Sequence, residues 1–219
     1  MTQAIVCCNQ EGLVLGTDSL VLRELEGGQV ERLIERKLFT IGSHAAVVSA
    51  GAAVGVELSA QLSHWLERRG LMDWDDMLAL SRDFLAEGYA RHLRASHTRL
   101  EARSAEYRHL CFIIGGYSGR APSPYEAILL QSEAGELPFQ ETRLGRVFTL
   151  PRRTALEGRI ARQIIEGLEL RALAETCRAS LEGIAERNPE AIAAPFQIAL
   201  VTASGVEFLE EGQSVGTAE

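Results

Sequence analysis

Residues 2–18 of the chain read TQAIVCCNQEGLVLGTD. An apolar, β-prone run, a turn signal and a second apolar run follow one another, which is the pattern of a β-hairpin. Its strands are predicted over residues 3–8 and 13–17. From the position of the turn, the numbers of paired residues should sum to about 20, to within one residue of register. The hairpin therefore brings the carboxylate of Asp18 beside Thr2, at the start of the chain.

A second hairpin is predicted over residues 36–41 and 45–50, joined by a Gly-Ser-His turn. Its register pairs Lys37 near Ser49. The lysine is therefore expected close to the turn at residues 50–52, which follows the second strand.

The rest of the chain alternates between helical and strand patterns. The segment between the hairpins, residues 23–35, is charged and contains two glycines, and we expect a surface excursion there. From Val54 the apolar residues recur every three or four positions, which predicts a helix that ends near Gly70. Asp73 is placed to cap a second helix, whose charged end over residues 91–108 should lie at the surface. Further strands are predicted at residues 110–114, 125–131, 146–150, 196–202 and 206–209, further helices at 155–168 and 170–186, and a frayed tail at 212–219.

This order of elements predicts an α+β protein. Strands, two helices, strands, two helices and strands follow one another, so the helix pairs are segregated from the antiparallel strands. The arrangement fits a four-layer αββα sandwich of two antiparallel sheets, each flanked by a helix pair. The sequence contains no linker, internal repeat or low-complexity segment, and we expect a single domain over residues 1–219.

Composition argues against several classes of partner. The 219 residues carry a formal charge of -8, whereas nucleic-acid-binding proteins usually present a basic face. No signal-peptide pattern opens the chain, and its longest near-apolar run, residues 45–56, is too short to span a bilayer. We therefore expect a cytoplasmic protein that has neither nucleic acid nor a membrane as its partner.

The cysteines and histidines do not have the spacing of a metal site. The adjacent Cys7 and Cys8 point to opposite faces of a strand, while Cys111 lies in an apolar run and Cys177 in a helical one. Burial as small hydrophobic residues is favoured over a disulfide framework or a zinc site. The five histidines show no metal-ligand spacing with acids or cysteines. We expect no metal and no cofactor.

The start of the chain carries the chemistry. Thr2 directly follows Met1, and removal of Met1 would leave a free α-amine on a residue that also has a hydroxyl. In such a pair the amine can act as the base for a weak alcohol nucleophile. Taken singly, the neighbouring residues have ordinary alternatives: a strand-end Asx turn for Asp18, a solvated strand edge for Lys37 and a turn glycine for Gly51.

Taken together, these residues resemble those of proteasome-type β subunits, which are N-terminal-nucleophile (Ntn) hydrolases. Thr2 opens the first strand and Asp18 ends the second. Arg36-Lys37-Leu38-Phe39 looks like the family's lysine-bearing strand, and Ala50-Gly51 looks like its oxyanion-binding turn before a long helix. The resemblance extends over nearly the whole chain and is clearest over residues 2–66. Residues 110–117 are similar to the family's central strand, and residues 195–206 to its closing hairpin.

The resemblance implies a threonine-type endopeptidase. Thr2, exposed by removal of Met1 as in the simpler bacterial members, would attack a peptide carbonyl and form an acyl-enzyme ester. Its proton would pass to its own α-amine or to Lys37, which Asp18 would orient, and the Gly51 amide would bind the oxyanion. The implied partners are a peptide or unfolded protein as substrate and further copies of the chain, in a ring or helical assembly. Whether an ATPase partner exists is left open.

Two departures from the family pattern keep alternatives open. Glu136 stands where the family often has a serine, and the stretch ending in Asn188-Pro189 lacks the family's usual aspartate and serine. These differences favour a non-catalytic ring subunit of the same fold, whereas intact Thr2, Asp18 and Lys37 favour an enzyme. A third possibility is an Ntn amidohydrolase that acts on a small amide, because a fold does not fix the substrate.

Overall fold

The structure, a computed structural model, describes residues 2–24, 29–101, 103–120 and 123–209. The frayed tail predicted at residues 212–219 lies outside this part of the chain, as does the middle of the predicted excursion. The described residues form a mixed α+β protein with antiparallel sheets, which confirms the α+β part of the predicted fold.

The described strands are, in chain order, β1 (Ala4–Cys8), β2 (Leu13–Thr17), β3 (Leu20–Glu24), β4 (Val30–Ile34), β5 (Leu38–Ile41), β6 (Ala45–Gly51), β7 (Leu110–Tyr117), β8 (Tyr125–Ser132), β9 (Gln140–Arg143), β10 (Val147–Leu150), β11 (Gln197–Thr202) and β12 (Gly205–Leu209). The described α-helices are α1 (Val54–Glu67), α2 (Trp74–Ala95), α3 (His97–Glu101), α4 (Thr154–Ile165) and α5 (Leu170–Arg187). The first sheet has the order β10-β1-β2-β11-β12 and the second has the order β5-β6-β7-β8-β9.

Both predicted hairpins are confirmed, with their registers. In the first, Ala4 pairs with Thr17, which is within one residue of the predicted register. In the second, Leu38 pairs with Val48, so the next position along the same register sets Lys37 opposite Ser49. Turn position was enough to fix both pairings because the side chains of each strand must face the correct core.

The predicted surface excursion over residues 23–35 contains strand structure that the sequence did not predict. β3 and β4 form a separate two-stranded antiparallel sheet, in which Leu20 pairs with Ile34. The side chains of β4 are exposed or partly exposed, so charged residues are tolerated along it. Because of these charged residues, the sequence lacks the apolar pattern by which a strand is usually predicted. The all-polar, fully exposed edge strand β9 was missed for the same reason.

The second helix is shorter than its charged continuation suggested. α2 ends at Ala95, and the residues after it form the short helix α3 and a 3₁₀ turn over Ala105–Arg108. Asp73 does precede the first residue of α2 but makes no side-chain cap. Its carboxylate instead accepts a hydrogen bond from Arg120 Nη1 at 2.6 Å.

The apolar residues form three cores, and alternate positions on a strand contribute to different ones. In β6, Val48 belongs to a core that is shared with residues of the first sheet, such as Val6, while Val47 packs with α1 and α2. In β1, Ile5 belongs to a third core, with residues of α4 and α5 such as Leu181. Successive side chains of a strand point to opposite faces of its sheet, and here both faces pack against apolar neighbours.

No helix in the described part of the chain is both long enough and apolar enough to cross a membrane.

For the chemistry, the important consequence of the topology is where the two sheets meet. Thr2 and Asp18 flank the ends of β1 and β2 in the first sheet, and Lys37 immediately precedes β5 at the edge of the second.

Candidate active site

Asp18 is the fixed centre of the site. Its side chain is fully buried, and each carboxylate oxygen is held by the backbone: Oδ1 accepts from Gln3 N and Oδ2 from Leu20 N, both at 2.9 Å. Oδ2 also accepts from Lys37 Nζ at 3.0 Å. The contact with Leu20 is the Asx turn that the sequence left open as an alternative, so Asp18 shapes the turn and binds the lysine at once.

Lys37 is buried, and its prediction as a solvated strand edge, the alternative reading of this residue, is wrong. Only 1% of its side chain is exposed. Its Nζ lies 3.0 Å from Asp18 Oδ2 and 3.2 Å from Thr2 Oγ1, so one amine joins the carboxylate to the hydroxyl. Burial lowers the pKa of Lys37, and the carboxylates of Asp18 and Glu35 oppose that shift.

Thr2 is partly exposed at a small cleft of about 60 Å³. One wall of the cleft comes from the start of β3, and the other comes from the end of β6 and the beginning of α1. Gly51 lies on this second wall, and Lys37 also lines the cleft. Three of the four predicted site residues, Thr2, Lys37 and Gly51, therefore line one small opening. The fourth, Asp18, is fully buried and reaches the site through its contact with Lys37.

Gly51 occupies a position that only glycine fits. Its φ is +96°, and a Cβ added there would lie 2.3 Å from the carbonyl oxygen of His109. That carbonyl accepts a hydrogen bond from Ala52 N at 2.8 Å, so it cannot move away freely. The requirement for glycine thus arises from both the backbone conformation and the close approach of a second chain segment.

Replacing Gly51 with alanine is expected to destabilise the protein by about 2 kcal/mol or more, because backbone strain of roughly 1–3 kcal/mol adds to the clash with His109. Urea denaturation measures the change. Gly158→Ala is the matched control, since a Cβ there meets no atom within 4 Å and the residue lies inside α4, where alanine is the better helix former. Equal stability of Gly51→Ala and wild type would contradict the close approach.

The sequence carries a signal for Lys37 that spacing arguments missed. Among the 22 basic residues of the chain, Lys37 is the single lysine and all the others are arginine. Arginine keeps its proton in proteins, whereas a buried lysine can lose it. An amine at this one position is what a proton-accepting role requires.

Two further residues support the site, Gln3 from its place next to Thr2 and Arg153 from a distant part of the sequence. Gln3, whose backbone N–H binds Asp18, is itself anchored by its side chain: Oε1 accepts from Arg153 Nε at 2.7 Å. Its Nε2 donates to the carbonyl oxygens of Ala4 and Leu150, each at 3.3 Å. No local pattern could have identified Arg153, because it enters the site from the segment that follows β10.

The two departures from the family pattern have local structural roles. Glu136 lies in the turn after β8, where its carbonyl oxygen accepts from Ser132 Oγ at 2.7 Å. Asn188 ends α5, and its Nδ2 donates to Ile184 O at 3.0 Å. Within the described residues, no group of three or more His, Cys, Asp or Glu side chains is arranged to hold a metal ion.

The arrangement has the parts of an activated nucleophile. A hydroxyl lies within hydrogen-bond reach of an amine, and a buried carboxylate orients that amine. Comparison with known protein-family models and with curated proteins finds no match to this chain. The geometry of the site is therefore what indicates the function of the chain.

Proposed function

We propose that the chain is a proteasome-like Ntn hydrolase, a threonine-type endopeptidase whose nucleophile is Thr2. The observation that carries the proposal is the continuous contact from Thr2 Oγ1 to Lys37 Nζ and from there to buried Asp18. The order of the three cores supports the finer fold assignment, because a four-layer αββα sandwich needs one core between the sheets and one between each sheet and its helices.

The proposed reaction begins when the residue before Thr2 has been removed. Thr2 Oγ attacks the carbonyl carbon of the scissile amide, and its proton passes to neutral Lys37 Nζ. A C–O bond forms, and the C–N bond breaks as the leaving amine takes that proton from Lys37. Water then attacks the ester, which releases the acid and returns a proton to Thr2 Oγ. The free α-amine of Thr2 is the alternative proton acceptor.

Burial gives Lys37 its proposed part in this sequence. A charged amine donates to Thr2 Oγ1, but a base must be neutral, and the lowered pKa of Lys37 makes the neutral form more accessible. Donor and acceptor then exchange roles across the same 3.2 Å contact. Asp18 keeps the amine within reach of the hydroxyl in both states.

Gly51 is the proposed source of the amide that binds the oxyanion. Its place in the cleft of Thr2 supports this role, as does a backbone conformation that only glycine adopts easily. Donors of this kind are worth roughly 2.7–4 kcal/mol of transition-state stabilisation in other enzymes.

Two observations bear on the substrate. The strand β3 begins on one wall of the cleft and pairs only with β4 among the described strands, so an extended peptide could align beside it. The cleft itself, at about 60 Å³, is far smaller than the pockets of roughly 300–1,000 Å³ that hold drug-sized ligands. Its small size favours the second candidate function, an Ntn amidohydrolase acting on a small amide.

Turnover assays distinguish the two functions. A panel of fluorogenic peptides and an unfolded protein such as casein would be compared with a panel of small amides, with Thr2→Ala as the blank in each assay. We expect peptide hydrolysis that depends on Thr2. Hydrolysis of small amides alone would establish the amidohydrolase, and no Thr2-dependent turnover of either kind would favour a non-catalytic subunit.

We also expect a homo-oligomer, in a ring or helical assembly, which would shield the nucleophile from folded proteins. Light scattering at micromolar concentration measures the mass directly. A particle near the chain mass of 23.9 kDa would contradict this expectation. The cytoplasmic location stays a prediction.

A further inference from the structure

Gln197, at the first position of β11, uses the whole hydrogen-bonding capacity of its side chain. Its Oε1 accepts from the backbone N–H groups of Lys37, at 2.9 Å, and Leu38, at 3.0 Å. Its Nε2 donates to Ser19 Oγ at 2.6 Å and to Glu35 O at 3.0 Å. A carboxamide offers two acceptor sites and two donors, and all four are filled.

These contacts join the two sheets at the site. The backbone of Gln197 pairs with Thr17 in the first sheet, one residue before Asp18. Its side chain takes the place of a backbone strand for Lys37 and Leu38, where the edge strand of the second sheet begins. The carboxamide therefore connects the segment that bears the carboxylate to the segment that bears the amine.

The partners of Gln197 are tied to the same two segments. Ser19, next to Asp18, receives the Nε2 donation, and Glu35 N donates to the carbonyl oxygen of Ser19 at 2.9 Å. Ser19 N also donates to Ala193 O at 3.0 Å, in the chain that leads into β11. The result is a closed set of hydrogen bonds around the residues that flank Asp18 and Lys37.

We propose that Gln197 is a positioning residue, which fixes the backbone of Lys37 relative to Asp18 so that the lysine amine reaches both Asp18 and Thr2. The proposal rests on the proposed function of Thr2 and Lys37. Gln197 itself acts through Lys37. A shift of about 1 Å in a catalytic group can lower a rate by roughly 100-fold, so a residue that holds a backbone in register can control the chemistry from a distance.

The test compares Gln197→Met with Asn9→Leu, because each change replaces a carboxamide by an apolar side chain of similar size. Asn9 also bridges two segments: its Oδ1 accepts from Glu11 N and Gly12 N, and its Nδ2 donates to Leu168 O. It lies in the β1–β2 turn, at the opposite end of β1 from Thr2. Both variants lose several hydrogen bonds, but only Gln197→Met loses them beside Lys37.

Two readouts are used on proteins shown by circular dichroism to be folded. The first is the rate at which a peptide epoxyketone modifies Thr2, which we expect to fall roughly 10- to 100-fold in Gln197→Met and to stay near the wild-type rate in Asn9→Leu. The second is the NMR titration of the protein labelled with ¹³C at lysine Cε, in which Lys37, as the single lysine, gives one signal. The pKa of Lys37 should rise in Gln197→Met, because a less firmly held amine becomes hydrated, and should not change in Asn9→Leu.

Failure of the positioning role of Gln197 and failure of the proposed function of Thr2 give different results. A wild type that resists the epoxyketone would contradict the function, while the titration would still report whether Gln197 positions Lys37. An unchanged rate and an unchanged Lys37 titration in folded Gln197→Met would overturn the positioning role.

If Gln197→Met does not fold, Gln197→Glu takes its place. A carboxylate still accepts from the N–H groups of Lys37 and Leu38, and its negative charge should raise the pKa of Lys37. A Lys37 titration that does not respond to this charge would overturn the proposal.

Discussion

Replacing Thr2 with alanine is expected to lower both acylation and turnover by about a thousandfold or more. Removing one member of a cooperating catalytic set causes losses of this size in other hydrolases, and here the hydroxyl of Thr2 is the group that the proposed reaction converts to an ester. The fold should be nearly unaffected, because Lys37 retains its contact with Asp18 when Thr2 Oγ1 is lost. Initial rates and thermal melting of the two proteins measure the two effects.

Thr2→Ser is the matched control for this prediction. Serine keeps a hydroxyl and, once exposed, an α-amine, so the variant should still be acylated. Full activity in Thr2→Ala would place the nucleophile elsewhere, and equal loss in both variants would indicate that the methyl group of Thr2 matters more than its oxygen.

Replacing Lys37 with methionine is expected to lower the free energy of unfolding by roughly 3–5 kcal/mol. The change leaves the fully buried carboxylate of Asp18 without the positive charge of Lys37. Removing one member of a buried ion pair lowers stability by about this amount in other proteins. Urea denaturation of the variant and the wild type measures the difference. Activity should be lost as well, because no side-chain amine then remains beside Thr2.

The double variant Lys37→Met with Asp18→Asn is the control. It removes both charges together, so part of the lost stability should return. If Asp18→Asn does not recover any stability in the Lys37→Met background, the penalty does not come from an unpaired carboxylate, and the buried ion pair is not what holds this corner of the fold.

Lys37→Arg separates charge from proton transfer. Arginine preserves the positive charge next to Asp18 but does not give up its proton. We expect acylation to fall by roughly 10²- to 10⁴-fold, the usual contribution of a positioned general base, with a smaller loss of stability than in Lys37→Met. Acylation at the wild-type rate would assign the proton to the α-amine of Thr2 instead.

The pH dependence has a definite sign. Because burial lowers the pKa of Lys37, the folded protein releases this proton at a lower pH than the unfolded chain, whose lysine has the ordinary value of 10.5. The unfolded state thus binds more protons between the lowered pKa and 10.5, so the contribution of Lys37 to stability rises with pH in that window. Acylation should also rise through the lowered pKa, as the amine becomes neutral.

Comparison of wild type with Lys37→Arg isolates this contribution. The buried thiols of Cys7 and Cys111 have raised pKa values, which lowers stability at high pH, but they are present in both proteins and cancel in the difference. A difference in stability that falls with increasing pH would contradict the lowered pKa of Lys37.

The sequence predicted the parts of the site that depend on local register. A turn after β1 places Asp18 beside the start of the chain, and a turn after β5 places Lys37 opposite Ser49. Local patterns did not show that Lys37 is buried, since that depends on how the edge of the second sheet packs against the first. They also gave no signal for Gln197 or for the polar strand β9, because neither has an apolar period to follow.

The most direct test of the central claim, that Thr2 is an N-terminal nucleophile, is mass spectrometry of the purified protein before and after treatment with a peptide epoxyketone. This reagent joins both the hydroxyl and the α-amine of an N-terminal threonine. We expect loss of Met1 and a single adduct on the peptide that begins at Thr2, absent from Thr2→Ala. Met1 retained, or a free Thr2 that does not react, would contradict the account and favour a non-catalytic subunit of the same fold.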